Sequence, residues 1–241
     1  MLSDYIGLKK KEIISFVGAG GKTTMMFKLA RELKANNKVL VTTTTKIYIP
    51  PVNKYDFICT DKENFFKYYT MKDNGIYVLG LGVNEENKIL GVSTKELDEL
   101  VSYFDYILIE ADGAKEKQLK GWNEFEPVIY GKTTKTVGII DIQSCGILIN
   151  ENNIHRSKIF CEITGAKEGQ TVKIEHLFKI IMHPRGLLKG AQGQKILYIN
   201  KIEDPNHLIL ARLLVVKINF KNKKLLNKVF IGSLKTNVYF R

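Results

Sequence analysis

The stretch Glu12-Ile-Ile-Ser-Phe-Val-Gly-Ala-Gly-Gly-Lys-Thr-Thr24 decides how the rest of the chain is read. Glu12 to Val17 has the apolar, β-branched character of a buried strand. Gly18, Gly20 and Gly21 interrupt it with a turn, and Lys22 to Ala35 follows with a composition suited to a helix. The residue types at this junction suit phosphate. Glycines let backbone N–H groups approach an anion, the helix N-terminus adds partial positive charge, Lys22 can reach β and γ oxygens, and the Thr23 hydroxyl can sit on Mg²⁺. Gly18, Ala19, Gly20, Gly21, Lys22, Thr23 and Thr24 are therefore expected to wrap the phosphates of ATP or GTP. The spacing is shorter than the standard G-x-x-x-x-G-K-T, which would need glycine where this chain has Phe16.

Outward from this turn, strand-like and helix-like runs alternate, the pattern of a mostly parallel sheet covered by helices. Strands are expected at Lys38 to Thr44, Tyr55 to Cys59, Ile76 to Leu81, Tyr106 to Ile109, Val137 to Ile142 and Lys195 to Ile199. Pro50 and Pro51 stop the first of these. Helices are expected after the N-cap Asp61 as far as Met71, from Thr94 with Leu97, Leu100, Val101 and Phe104 at helical spacing, over His176 to Met182, and over Pro205 to Val216. The fold class is α/β, phosphate-loop NTPase-like, with a C-terminal appendage. The chain reads as one such domain over 1–241, with an insert or small subdomain as the alternative near 131–195.

Three further patterns carry chemistry. Asp105 to Gly113, DYILIEADG, is an apolar strand ending in Glu110 and Asp112, an i, i+2 pair at the strand exit where open α/β folds bind ligands. Asp112 is expected to hold Mg²⁺ with Thr23, and Glu110 to bind metal or orient a water; with Lys22 they form the expected catalytic set. Ile196 to Pro205, ILYINKIEDP, has Asn200-Lys201-x-Glu203, similar to the N-K-x-D element that reads guanine in GTP-binding proteins. Its alternative is an ordinary strand exit with a helix N-cap at Asp204. Lys38 to Pro50, KVLVTTTTKIYIP, places four threonines and Lys46 at a strand exit. These read either as a hydroxyl-lined wall for a second anionic ligand or as plain β-propensity.

The composition narrows the field. Net charge is +12 with pI near 9.4, but the lysines are scattered and the longest basic run is Lys9 to Lys11. No aromatic RNA-binding motif or helix-turn-helix is present, so nucleic acid is not an expected partner; a basic surface attracting nucleotides or an acidic partner accounts for the charge. No apolar run approaches the roughly 20 residues of a membrane span, and the N-terminus lacks the order of a secretory signal, so the expected location is cytoplasmic. Cys59, Cys145 and Cys161 are widely spaced and expected to be reduced.

The short glycine turn resembles that of the Mur ligases. Taken in order, GAGGKTT, VLVTTTTKIYIP, IEADGAKEKQLKGWNEFEPVI, HRSKIF, HPRGLLKG and ILYINKIEDP resemble the YqeC-type selenium-dependent hydroxylase accessory proteins over roughly Ile13 to Pro205. The resemblance implies a nucleotide-binding accessory protein, a slow Mg²⁺-dependent NTPase that assists maturation of a selenium-dependent molybdenum hydroxylase or insertion of its cofactor. It also implies a substrate or partner site at Thr44, Thr45, Lys46, Lys120, Glu126 and Arg156. The alternative is a Mur-like ligase or phosphotransferase acting on a small anionic substrate.

Overall fold

The computed structural model describes residues 1–61, 64, 73–221 and 225–241. The amphipathic helix expected after Asp61 falls on residues 62–71, which apart from Asn64 lie outside the described residues. The chain divides into two compact units, one of Met1–Phe16, Thr23–Gly113 and Val128–Lys135, the other of Val17–Lys22, Ala114–Pro127 and Thr136–Arg241. The fold is mixed α/β with mostly parallel strands flanked by helices, and it is compatible with a phosphate-loop NTPase-like architecture.

In chain order the first unit carries α1 (Leu2–Ile6), β1 (Glu12–Gly18, its last two residues in the second unit), α2 (Lys22–Leu33, from Thr23 onward), β2 (Lys38–Thr43), β3 (Lys46–Tyr48), β4 (Phe57–Cys59), β5 (Gly75–Leu79), β6 (Lys88–Leu90), α3 (Thr94–Leu100) and β7 (Tyr106–Glu110). Its strands lie in the order β4-β5-β2-β7-β1, every neighbouring pair parallel. β7 sits between β1 and β2, and all five of its residues are buried. That is why its sequence is a continuous apolar run rather than an alternating one. The register sets Glu110 opposite both Phe16 and Thr43, so β1, β2 and β7 reach the carboxyl edge together.

α3 starts at Ser93, whose hydroxyl and backbone N–H engage Glu96 in a capping box. Leu97, Leu100 and Phe104 enter a core with Leu40, Tyr77, Leu79, Ile107 and Tyr130. The α-helix itself ends at Leu100, followed by a 3-10 turn over Val101–Tyr103. Thr43, one residue earlier than expected, closes β2. Before the prolines the chain forms β3, antiparallel to β6, a pairing that three-residue strands announce with no usable period.

The second unit contains β8 (Leu119–Lys120), β9 (Lys135–Asp141, from Thr136 onward), β10 (Ile154–His155), α4 (Ser157–Thr164), α5 (Ile174–Met182), β11 (Gln194–Asn200), α6 (Pro205–Lys221), β12 (Lys228–Ser233) and β13 (Val238–Phe240). The order is β9-β11-β12-β13, with β12 parallel to β11 and β13 antiparallel at the edge. β8 and β10 form a separate parallel pair. The helix expected to end at Val216 runs to Lys221. The three cysteines are free thiols, Cys59 buried and Cys145 and Cys161 half-buried. Among the described residues no helix is long and apolar enough to cross a membrane.

Candidate functional site

The glycine turn leaves β1 with Gly18, Gly20 and Gly21 at φ of 105°, 83° and 136°, values that a residue with a Cβ adopts only under strain. Packing forbids a side chain as well. A Cβ on Gly20 would stand 2.4 Å from the Cβ of Asp141, and one on Gly21 2.5 Å from Asn200 Nδ2. Ala19 N donates to the carbonyl of Ile139, fixing the turn to β9. Lys22, the first residue of α2, is buried and folds back over its own turn, donating from Nζ to the Gly18 carbonyl at 2.7 Å.

Asn200 and Lys201, at the end of β11, meet this turn. Asn200 Nδ2 donates to the Gly20 carbonyl at 2.7 Å, while its Oδ1 accepts from Tyr198 OH at 2.9 Å and Leu234 N at 3.1 Å. Lys201 takes a left-handed φ of 66° and sets its Nζ 2.5 Å from Asp141 Oδ2. Burial pushes the Asp141 carboxyl up, against the pull of Lys201. Asp204 caps α6, accepting from His207 N at 2.8 Å, and exposed Glu203 lies 3.4 Å from Lys235. The N-K-x-E stretch thus supplies an asparagine that braces the glycine turn and an aspartate that caps a helix. Asp141 escaped sequence reasoning. The available signal was its place at the end of an apolar strand, the position that singled out Glu110 and Asp112.

In the first unit, Thr23 Oγ1 donates to Glu110 Oε2 at 2.6 Å. The Glu110 carbonyl accepts from Thr43 Oγ1 at 2.8 Å and from Thr44 N at 3.2 Å. Thr42 and Thr43 are buried, and the Thr42 hydroxyl donates to the Leu79 carbonyl at 2.7 Å. Thr44 Oγ1 donates to the Val128 carbonyl at 2.6 Å, and Thr45 N to Thr43 Oγ1 at 3.0 Å. Lys46 is exposed at the start of β3. The threonine run therefore serves largely to tie strand ends together. Asp112 is completely buried two residues beyond Glu110.

The hydroxyl of Thr23 and the carboxylate of Glu110 are hard oxygen donors already in contact, a set that suits Mg²⁺ when phosphate oxygens and water complete the octahedron. No group of three or more His, Cys, Asp or Glu side chains that could hold a metal alone occurs among the described residues.

Lys120, Glu126 and Arg156, distant in sequence, converge in the second unit. Lys120 Nζ and Arg156 NH1 both reach Glu126 Oε2, at 2.7 and 2.5 Å, and the Lys120 side chain is wholly buried. Burial opposes the Glu126 carboxylate, but the Arg156 hydrogen bond and the Lys120 charge outweigh it and hold its pKa below the ordinary value. Burial, reinforced by Arg156 and Lys120, pushes His155 down to about 4. Lys189 Nζ donates to the carbonyls of Asn123, Glu124 and Glu126 at 2.7, 2.8 and 3.1 Å. Trp122 is buried, and the Lys120 ammonium lies 5.4 Å from its ring centre.

Fold and site together define an α/β protein whose glycine turn joins a buried strand to a helix opening on lysine, with carboxylates at its strand exits. The chain belongs to the YqeC protein family: the family model matches residues 14–158. It is similar to the uncharacterized protein YqeC of Escherichia coli (strain K12), with 30% identity over 206 residues, 83% of this chain and 80% of that protein. The span matched by the family model holds the glycine turn, Glu110, Asp112 and the Lys120–Glu126–Arg156 cluster, while Asn200 and Lys201 lie beyond it.

Proposed function

We propose that the chain binds ATP or GTP through Gly18 to Thr24 and acts as a slow Mg²⁺-dependent NTPase. In this reading it assists maturation of a selenium-dependent molybdenum hydroxylase or insertion of its cofactor. The observation that carries the nucleotide part is the glycine turn itself: three glycines at positive φ followed at once by Lys22 at the start of a helix. The first-turn N–H groups of a helix have no partner within it and carry partial positive charge, which favours an anion there. Lys22 donates to the Gly18 carbonyl. In this reading its ammonium would also give a charge-assisted bond to a phosphate oxygen.

When Mg²⁺ is bound it would neutralise phosphate charge. Thr23 and Glu110 would hold it, with Asp112 as a further carboxylate, directly or through water. Glu110 would alternatively orient the attacking water, and Lys22 would stabilise charge developing on the transferred phosphoryl group. The hydroxylase role rests on the family resemblance, as does the assignment of Thr44, Thr45, Lys46, Lys120, Glu126 and Arg156 to a substrate or partner site.

Calorimetry with non-hydrolysable ATP and GTP analogues, with and without Mg²⁺, tests the reading. Mg²⁺-dependent binding that Lys22→Ala weakens at least about tenfold is expected, the loss of one charge-assisted bond; undiminished affinity in that variant would exclude the phosphate-loop role. Phosphate release only when a small acceptor is added would turn the assignment to a ligase or phosphotransferase, the activity class of the short-looped Mur ligases.

A further inference from the structure

α6 is apolar on two opposite sides. Ala211, Leu214 and Ile218 are buried on its inner side, where the helix packs against α5. On the outer side Ile209, Leu213, Val216 and Phe220 are 57%, 55%, 67% and 86% exposed. Their steps of four, three and four residues are the heptad spacing of a helix seam, which runs about 17 Å along α6. The stripe is one residue wide, which is the mark of a coiled-coil seam; a helix lying in a membrane interface needs a broader apolar face.

The flanks decide the occupant. In heptad terms Arg212 and Asn219 border the seam on one side, Leu210 and Lys217 on the other. Glu175 of α5, 2.6 Å from Lys217, is engaged on this same helix surface, and exposed Lys221 follows Phe220 at the end of the helix. A second copy in parallel would set Arg212 against Lys217. In the antiparallel arrangement each flank would meet itself, which sets Arg212 and Asn219 together with no acid between them and leaves Lys217 to its own Glu175. Like charges at these positions oppose pairing, and opposite charges select partners. We propose that the outer face of α6 docks an acidic amphipathic helix of a partner protein, its apolar seam on Ile209, Leu213, Val216 and Phe220 and its carboxylates beside Arg212 and Lys217.

The probe is a synthetic three-heptad helical peptide with leucine at its seam and glutamate at its flanking positions, compared by fluorescence anisotropy with the same peptide carrying lysine at the flanks. The full-length protein should bind the acidic peptide about tenfold more tightly at low ionic strength, with the preference shrinking as salt screens the flanks. The double variant Leu213→Ser/Val216→Ser should abolish binding while keeping its circular dichroism spectrum and urea midpoint, because both side chains are exposed. Equal binding of both peptides, or of neither, overturns the proposal. So does co-sedimentation with phosphatidylserine-rich vesicles in place of peptide binding, which assigns the face to a membrane surface. Self-association in sedimentation equilibrium that the double variant removes overturns it in favour of a second copy.

Discussion

Replacing Asn200 by alanine should cost the protein about 3 kcal/mol. The side chain is 3% exposed and makes three hydrogen bonds, giving one to the Gly20 carbonyl and accepting from Tyr198 OH and Leu234 N. Each is worth about 1 kcal/mol net, and the partners left behind lose their hydrogen bonds at a buried site. Asn200→Asp separates the contributions. It retains acceptors for Tyr198 and Leu234 but turns a carboxylate oxygen toward the Gly20 carbonyl, so it should be no more stable than the alanine variant. Urea unfolding followed by circular dichroism reads both as a shift in midpoint at constant slope. A loss under about 1 kcal/mol for Asn200→Ala would refute the view that this residue braces the glycine turn. The same variant separates bracing from base reading in the nucleotide proposal. Bracing predicts that affinity for ATP and GTP analogues falls together, whereas a guanine reader would lose only the GTP analogue.

Glu126→Gln should destabilise by about 3 kcal/mol, because it removes the charge of a half-buried carboxylate that both the buried Lys120 and Arg156 engage; a urea midpoint matching wild type would remove that cluster from the stability account. Acid should act through the same place. The His155 pKa is pushed from 6.5 to about 4 on folding, so between those values the unfolded chain binds the extra proton. Its contribution is therefore intact above pH 6.5 and is lost as the pH falls toward 4, by about 1–2 kcal/mol after allowance for partial exposure. Glu126, with its folded pKa lowered, adds a loss that sets in as the pH falls through the ordinary carboxylate value and is complete below its folded one. His155→Asn should flatten the upper part of this dependence, and an unaltered pH profile of urea stability would count against it. Gly20→Ala should cost about 2 kcal/mol or more, since the turn demands a φ of 83° and the added methyl meets Asp141. A wild-type thermal midpoint in that variant would contradict the observed turn geometry.

The elements that could be read from sequence are those whose burial is uniform over a run. β1, β2 and β7 are buried along their whole length, so their apolar character is unbroken, and the glycine turn announces itself because only glycine meets its dihedral angles. β8 and β10 could not be foreseen. Two residues have no period, and Leu119–Lys120 becomes a strand only because Ile154–His155 lies beside it. α4 follows Arg156, whose left-handed φ of 58° gives no compositional warning. The convergence of Lys120, Glu126 and Arg156 could be suspected from family resemblance alone, since separations of 6 and 30 residues encode no contact without the intervening fold. Asn200 only half matches the pattern that marks it in the sequence, and its hydrogen bonds to the Gly20 carbonyl and Leu234 N depend on residues 180 and 34 positions away.

The ammonium of Lys189, ringed by three carbonyls of the 123–126 turn, is the covalent counterpart of a monovalent-cation site. Loops ordered by potassium or sodium change shape with the supply of the ion and can be emptied by exchange. Here the cation is tethered to the chain by four methylenes and cannot be diluted away. The turn that carries Glu126 is thereby held by a cation that the chain itself supplies, and acylation of the amine would unload it.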